Sequence, residues 1–483
     1  MAPRKIEGHL PFIMSSNAGK ADPAARTFIR SHVMRGKNKK SRDIKQGIRS
    51  TSMQHRANRI RAKPINPKDI IDIYIPLIPN RVGSDASFVD LDVDPTTLLN
   101  LIRGASSGAM AHIARLNSDT VSEVAGNFMF PLMIVVGFQP EKDNWLDLLR
   151  DDPAGLHITA FAMEELVTKI IRRQIHSVNT AAMQHFQMGV KILRERLLGD
   201  DTGIKISDST MGVILKLAGA AHLNGDYQSS KHHIDGLRKI VELRGGLDVF
   251  KGTQLRQEIL RCDLMITLLN GSTPAFFCQP SEPLPAYPEA LLRSSDERTD
   301  SLNNHELVQN IDNDLAAAWK VLRKFCLLVN VGTQTQQFIH PETICDTIAA
   351  VTYRLLNTHF AIGSIDETVR YGLLVFSYHI FLQWNDLKLP YSHFPTAYRT
   401  RIANVLPHHG ASPQLKLWLL MIGAISVFDP VEDSWLREQV RAHVEKCGVR
   451  TWKDMRDILK SFMWIGLLDD RAGEHITNSF DLT

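Results

Sequence analysis

Cysteine is scarce in this chain of 483 residues, and none stands in its first half. The five thiols are odd in number, and no two of them form a C-x-x-C pair. A disulfide framework is therefore not expected, and the composition favours a reducing compartment inside the cell. Because no local motif supports a reactive thiol, we interpret the cysteines as small apolar residues of the interior. They are Cys262, Cys278, Cys326, Cys345 and Cys447.

Long apolar segments are also missing. The longest uncharged apolar runs, Tyr371–Trp384 and Leu417–Phe428, are shorter than the about 20 residues that a membrane-spanning helix needs. The first ten residues contain Arg4, Lys5 and Glu7 and lack the apolar core of a secretory leader. We therefore expect a soluble globular protein with no membrane partner, which the 44% hydrophobic and 22% charged residues also favour.

Motifs for catalysis and cofactor binding are weak. No H-E-x-x-H motif occurs. Residues 15–20 end like a phosphate-binding loop but lack its first glycine and its final serine or threonine. Asp469 and Asp470 are followed by Gly473 where a Mg²⁺-binding ladder would need a third carboxylate. We predict that the protein is not an enzyme and has no catalytic residue and no cofactor; an all-α enzyme with an unrecognised site is the least favoured alternative.

Histidine spacing gives no metal site either. His232 and His233 are adjacent in the chain, as are His408 and His409. Neighbouring residues on a helix point about 100° apart, so the two rings of such a pair do not face one ion. We predict no metal ligand in this sequence.

Acidic residues are scarce near the N-terminus. Residues 1–64 hold 16 lysines and arginines but 3 acids, a net charge of +13, so the remainder carries −9 of the overall +4. The densest cluster comprises Lys37, Lys39, Lys40 and Arg42. We interpret it as a nuclear import signal or a phosphate-contacting arm, with a solvated tail as the alternative. Contact with nucleic acid through such an arm would be weak and nonspecific, because phosphate contacts read no bases.

Helical periodicity dominates from about residue 119 onward, and the alternation typical of strands is nearly absent. We predict an all-α fold: a large helical body of stacked antiparallel helix pairs, one of them a tetratricopeptide-like hairpin. The predicted parts are a basic arm at 1–64, mostly disordered with a short helix near 23–35; an irregular connector at 65–118; and the helical body at 119–475, with a long loop near 280–308. The predicted helices are 119–136, 157–174, 176–198, 207–223, 229–244, 253–269, 311–330, 342–358, 365–384, 414–428, 431–446 and 452–468.

One predicted helix, residues 229–244, has a clear start and stop. Ser229 or Ser230 can cap its first turn. Gly245 or Gly246 can supply the left-handed residue that ends a helix. These signals make it the best-defined element of the body.

Gly236 in the middle of this helix opposes its own local structure, because an interior glycine costs about 1 kcal/mol relative to alanine. The preceding predicted helix carries the small residues Ala218–Ala221. We predict that Gly236 faces these residues across a tight hairpin, where two helix backbones approach closely.

The pattern His-x3-Gly-Leu-x6-Arg-Gly-Gly-Leu, from His232 to Leu247, resembles the middle regulatory region of fungal binuclear zinc-cluster transcription factors. The following helix with Asp263, the loop at 271–277 and the segment Arg30–Arg35 are similar to other parts of such proteins. The motif positions that the resemblance assigns a structural role are His232, Gly236, Leu237, Arg244, Gly245, Gly246 and Asp263.

The family's DNA reader is a basic cluster of six cysteines near the N-terminus, and this chain has no cysteine before Cys262. The resemblance therefore implies a nuclear regulatory protein that acts through protein partners, and through a small effector if it has one, without its own zinc cluster. The alternative is a nuclear or cytoplasmic helical scaffold with no transcriptional role. The sequence leaves open a homo-oligomer.

Two charged residues of this region have two interpretations. Arg244 or Asp263 could contact an effector, or each could form a structural ion pair or cap that links consecutive helices. We favour the structural interpretation, because an arginine near a helix C-terminus already matches the helix dipole.

Overall fold

The structure is a computed structural model that describes residues 152–166, 180–276, 284, 306–335, 341–382, 391–408 and 410–480. The basic arm, the connector, the predicted helix 119–136 and nearly all of the predicted 280–308 loop lie outside these residues.

Every regular element in the described residues is helical, which confirms the predicted all-α fold. Thirteen helices there have ten residues or more, and four shorter elements lie between them. The long helices are α1 Pro153–Leu166, α2 Thr180–Leu198, α3 Asp208–Leu223, α4 Tyr227–Arg244, α5 Gln254–Asn270, α6 Asn313–Thr335, α7 Pro341–Asn357, α8 Ile365–Ser377, α9 His393–Val405, α10 Pro413–Ser426, α11 Ser434–Cys447, α12 Trp452–Ser461 and α13 Gly466–Ser479. The short elements are the α-helical turns Thr202–Lys205 and Glu306–Gln309, the 3₁₀ helix Leu247–Phe250 and the π-helix Tyr378–Leu382.

Polar side chains set where many helices begin. Ser412 caps α10 through a hydrogen bond from the Leu415 N–H, with Pro413 at the first helical position. Thr451 and Asp454 form a reciprocal capping box at the start of α12. These are local sequence signals, which is why those boundaries were predictable.

Consecutive helices pack as antiparallel pairs. The α1–α2 pair is tied by two hydrogen bonds from the Arg196 guanidinium to the Asp152 carboxylate, 2.6 and 2.8 Å long. In the α8–α9 pair, Arg401 donates to the buried Glu367 carboxylate over 2.9 Å. In both pairs the contact joins a residue near the start of one helix to a residue toward the end of the next. The two helices of each pair therefore run in opposite directions. No described helix is long and apolar enough to cross a membrane.

The centre of the core is aromatic. Trp418 of α10 stacks on Phe462 with ring centroids 5.9 Å apart, and it meets Trp319 of α6 edge-on at 5.5 Å. Its indole N–H donates to the carbonyl of Met463 over 2.8 Å, so the buried polar edge has a partner. The core thus joins α6, α10 and the segment between α12 and α13.

The predicted single helix 452–468 is wrong, because the chain leaves the helix after Ser461 and α13 begins at Gly466. Phe462–Ile465 are all buried, and four consecutive buried residues do not fit one face of a helix that packs on one side. The helical body also runs to Ser479, beyond the predicted limit of 475.

Other boundaries differ from the prediction. Helix α9 was not predicted, although Phe394, Tyr398 and Ile402 are buried at a spacing of four; Pro395 lies in its first turn, where proline is tolerated. Helix α1 begins at Pro153 instead of 157, because Asp152 accepts hydrogen bonds from the Ala154 and Gly155 N–H groups. The predicted helix 365–384 becomes a π-helix at Tyr378.

Candidate functional site

Helices α3 and α4 form a helical hairpin, called the hairpin from here on. The Ser230 hydroxyl donates to the carbonyl of Ala218 over 2.9 Å, so the two helices are in close contact at that level. The cap of α4 is Asp226, not Ser229 or Ser230 as predicted. The Asp226 carboxylate accepts from the Ser229 N–H over 3.0 Å and from the Ser229 hydroxyl over 2.6 Å. The helix therefore starts at Tyr227, two residues before the predicted start at 229, and both serines are buried.

The C-terminal end of α4 closes through its two glycines. Gly245 has φ +111° and Gly246 has φ +100°, both in the left-handed region that favours glycine. Their N–H groups donate to the carbonyls of Glu242 and Val241 over 3.1 and 2.9 Å, the pattern of a Schellman motif. The predicted glycine stop is confirmed at Gly245.

Arg244 joins the end of α4 to the start of α3 at the open end of the hairpin. Its guanidinium forms an ion pair with Asp208 at the start of α3 and lies 4.5 Å from the centroid of the Phe250 ring. It also lies 3.4 Å from the carbonyl oxygen of Ile206. The arrangement is that of the structural interpretation: an ion pair between consecutive helices.

Asp263 of α5 is buried and holds the following loop. Its carboxylate accepts hydrogen bonds from the Ala275 and Phe276 N–H groups over 2.9 and 3.1 Å, and from the Tyr353 hydroxyl over 2.8 Å. Burial raises the pKa of Asp263, against the lowering effect of these bonds and of Lys231. Asp263 therefore fixes the 271–276 loop against α5 and α7.

The other motif residues of α4 lie on different faces. Leu237 is fully buried, Gly236 is buried and His232 is exposed. Gly236 lies six residues after Ser230 and thus about 120° around the helix from it. The hydrogen bond to Ala218 is made by Ser230, so the facing of Gly236 onto Ala218–Ala221 stays a prediction.

A buried imidazole at the end of α3 was missed by the sequence analysis. His222 is fully buried, and neither of its ring nitrogens has a hydrogen-bond partner among the described residues. The Oδ1 atom of Asn224, in the same turn, is also buried and has no partner in that part of the chain. Each such atom costs about 1–3 kcal/mol. Burial lowers the pKa of His222 to about 3, so the ring is neutral at physiological pH.

Tyr391 covers His222 from outside the hairpin. The two rings stack with centroids 4.5 Å apart and planes 17° from parallel. The Tyr391 hydroxyl donates to the backbone carbonyl of His222 over 2.8 Å. Burial, and then the charge of Asp226, raise the pKa of Tyr391 above its usual range, so the phenol stays protonated. We call His222, Asn224 and Tyr391 the His222 centre.

A second buried histidine lies further along α4. His233 is 4% exposed, and no described residue forms a hydrogen bond with its Nδ1 atom. Burial, and then His232, lower the pKa of His233 to about 4, while Asp226 opposes the shift. The hairpin therefore carries two neutral buried imidazoles.

A separate polar contact is made by the π-helix Tyr378–Leu382. His379 shares a 2.8 Å hydrogen bond with the fully buried Asp469 of α13. The other oxygen of Asp469 accepts from the Ile465 N–H over 2.7 Å. This contact joins the π-helix to the start of α13, and π-helices occur often at functional sites.

The described residues give little support for metal or thiol chemistry. No three of their histidine, cysteine, aspartate or glutamate side chains lie together in a way that could hold a metal ion. Burial raises the pKa of Cys345 to about 12 and that of Cys326 well above its usual range, so both thiols stay protonated and unreactive.

Two sequence features fall outside the described residues. One is the basic cluster Lys37, Lys39, Lys40 and Arg42. The other is residues 104–108 (GASSG), a G-x-S-x-G pattern that the sequence analysis overlooked. Such a pattern marks a nucleophile only where a strand leads into a helix at the serine.

Comparisons of the chain with protein-family models, with curated proteins and with solved structures give no match.

Proposed function

We propose that this protein is a nuclear regulator of transcription that acts through protein partners, similar to the regulatory domain of fungal zinc-cluster factors but without a zinc cluster. The observation that carries the proposal is the set of structural roles held by the motif residues. Gly245 ends α4, Arg244 pairs with Asp208, and Asp263 holds the 271–276 loop. A short pattern in which Arg244, Gly245 and Asp263 each have a distinct structural role is better support than the pattern alone.

The basic arm supplies localisation in this proposal. The cluster Lys37, Lys39, Lys40 and Arg42 serves nuclear import, and any contact of the arm with nucleic acid is weak, nonspecific and dependent on salt. Recruitment to chromatin then depends on a partner that reads DNA.

A tethering experiment tests regulation directly. The full chain is fused to an unrelated DNA-binding domain, and a reporter with the matching site is measured in a fungal host. We expect the reporter to change several-fold relative to the DNA-binding domain alone. The matched variants are Gly245→Val, which strains a residue at φ +111° and should lose the effect, and Gly219→Ala in the same hairpin, which should keep it.

Localisation tests the remaining part. Alanine at Lys37, Lys39, Lys40 and Arg42 together should move a fluorescent fusion from nucleus to cytoplasm. A pull-down from fungal nuclear extract, followed by chromatin mapping, then identifies the partner and its sites. A cytoplasmic wild-type protein with no reporter effect would instead support the helical scaffold.

A further inference from the structure

Two histidines meet between α1 and α2 and belong to none of the groups described above. The Nδ1 atoms of His157 and His185 are 2.9 Å apart, and the ring centroids are 5.2 Å apart with the planes tilted by 43°. Both residues are half-buried and keep contact with solvent. Two imidazole nitrogens at this separation can share a hydrogen bond, or they can be neighbouring ligands of one metal ion.

A glycine of α2 brings the two histidines together. Gly189 follows His185 by four residues and therefore lies about one turn further along the same face of α2. A Cβ atom at Gly189 would lie 3.3 Å from the Cβ atom of His157 and 2.6 Å from the side chain of Ile158. The missing side chain thus lets α1 lie against α2 at the level of His157, and the packed helix pair holds both rings in place.

Both rings of the pair are neutral near pH 7. Burial, and then the charge of His185, lower the pKa of His157, and burial lowers the pKa of His185. A neutral imidazole carries one proton, which either ring nitrogen can hold, and the other nitrogen has a lone pair. When the protons of both rings are on Nε2, the two Nδ1 lone pairs are available to a metal ion, which binds imidazole in its neutral form.

We propose that His157 and His185 form a two-imidazole site for a divalent transition-metal ion that prefers ligands at right angles, Ni²⁺ or Cu²⁺. The ion takes the place of the hydrogen atom that the two Nδ1 atoms otherwise share, and it joins α1 to α2. The described residues place no third histidine, cysteine, aspartate or glutamate with the pair, and in this proposal water molecules complete the coordination sphere. The site does not depend on the proposed function.

The separation of the two nitrogens selects this class of ion. With metal–nitrogen bonds of about 2.0–2.1 Å, nitrogens 2.9 Å apart form an angle of about 90° at the ion. Tetrahedral ligands with the same bond lengths would be about 3.3 Å apart, so the pair fits a tetrahedral Zn²⁺ ion less well. Square-planar and tetragonal sites with nitrogen and oxygen ligands are typical of Cu²⁺ and Ni²⁺.

Calorimetric titration of the full-length protein with Ni²⁺–nitrilotriacetate at pH 7.5 tests the site. The chelator leaves two neighbouring positions of the octahedral ion open, and a pair of adjacent imidazoles fills both. We expect one strong complex per chain. His157→Gln and His185→Gln should each weaken it at least about tenfold, because each variant loses one of the two ligands.

Two further variants serve as a control and as a test of geometry. His232→Gln makes the same substitution at an exposed position of α4 and should leave the titration unchanged. Gly189→Ala keeps both ligands, but its Cβ atom would press on Ile158 and His157. It should therefore weaken binding several-fold by moving the rings apart. Free Ni²⁺ should bind the wild type more tightly than free Zn²⁺ does.

Imidazole modification by diethylpyrocarbonate, mapped by mass spectrometry, locates the ion in the wild type without any substitution. Ni²⁺ should slow the reaction of His157 and His185 and leave that of His232 unchanged. The proposal is overturned if Ni²⁺–nitrilotriacetate does not bind, if neither histidine of the pair is protected, or if Zn²⁺ binds as tightly as Ni²⁺. A titration that His157→Gln and His185→Gln both keep would mean that other histidines hold the ion, which also overturns it. A negative reporter assay leaves this result untouched.

Discussion

The Nε–H group of Arg261 donates a 2.8 Å hydrogen bond to the backbone carbonyl of Phe381. The acceptor lies within the π-helix Tyr378–Leu382, where the regular hydrogen-bond ladder of α8 is interrupted. Arg261 belongs to α5 and is 5% exposed, and burial lowers its pKa to about 10, so it remains a cation. A charged side chain of one helix thus completes the backbone of another, 120 residues later in the chain.

Arg261→Met should destabilise the protein by about 1–3 kcal/mol, because the Phe381 carbonyl is left buried without this donor. Methionine fills much of the same volume, so the loss reports the hydrogen bond more than a cavity. Urea unfolding followed by circular dichroism measures it. The control is Arg238→Met, which removes an exposed i,i+4 ion pair with Glu242 and should cost under about 0.5 kcal/mol. Equal losses in the two variants would contradict the role assigned to Arg261.

Acidification should destabilise the protein below about pH 6.5. The pKa of His222 is about 3 and that of His233 about 4 in the folded state, both below the ordinary value of 6.5. The unfolded chain therefore binds more protons than the folded chain as the pH falls through 6.5, and stability decreases toward the folded values. At pH 5 each group removes about 2 kcal/mol relative to pH 7.5.

Thermal melts at pH 7.5, 6 and 5 measure this dependence. His222→Phe should reduce the slope of melting temperature against pH and raise the melting temperature at pH 7.5. His232→Phe, at an exposed position, should leave the slope as it is. A slope unchanged in His222→Phe would mean that this imidazole is hydrated in the folded protein.

Two helical glycines should respond to alanine in opposite directions. A Cβ atom at Gly219 of α3 would meet nothing within 4 Å, so Gly219→Ala should stabilise by about 0.5–1 kcal/mol through helix propensity. At Gly473 of α13 the new atom would lie 2.6 Å from Trp452 and 2.8 Å from Trp464. Gly473→Ala should therefore destabilise by about 1–3 kcal/mol. Calorimetry of both variants measures the two changes in stability. Changes of the same sign would contradict the packing described at one of the two glycines.

Gly236→Leu should destabilise at least as much as Leu237→Ala does. Truncating the fully buried Leu237 leaves a cavity and costs about 2–5 kcal/mol. Gly236 is buried, so a leucine side chain there must displace the atoms that pack against this face of α4. A higher melting temperature for Gly236→Leu would mean that this position tolerates a side chain and that packing does not require a glycine there.

Local signals predicted most of the helices. Gly245 was predictable because a glycine pair after an amphipathic segment ends a helix by its own conformational preference. The π-helix Tyr378–Leu382 has no signal in the local sequence, and the hydrogen bond from Arg261 to its Phe381 carbonyl joins residues 120 positions apart. The break after Ser461 was missed because Phe462–Ile465 continue the apolar character of α12 while entering the core.

The candidate site was predictable only in part. Arg244 and Asp263 were singled out correctly as charged residues of the hairpin region, but their partners Asp208 and Tyr353 lie 36 and 90 residues away. The His222 centre was missed altogether. Tyr391 is 169 residues from His222, and the lack of a hydrogen-bond partner is a property of the folded environment that no sequence pattern encodes.

Side-chain contacts join α3 and α4 at both ends of the hairpin. Near the turn, the Ser230 hydroxyl donates a hydrogen bond to the Ala218 carbonyl, and at the open end Arg244 forms an ion pair with Asp208. The widest of these contacts closes a loop of 36 residues, and loop-closure entropy grows slowly with length. The hairpin can therefore assemble from local contacts before α5 to α13 are in place. The hairpin is translated before α5 to α13, so its local contacts are available to the nascent chain while the rest of the helical body has yet to be made.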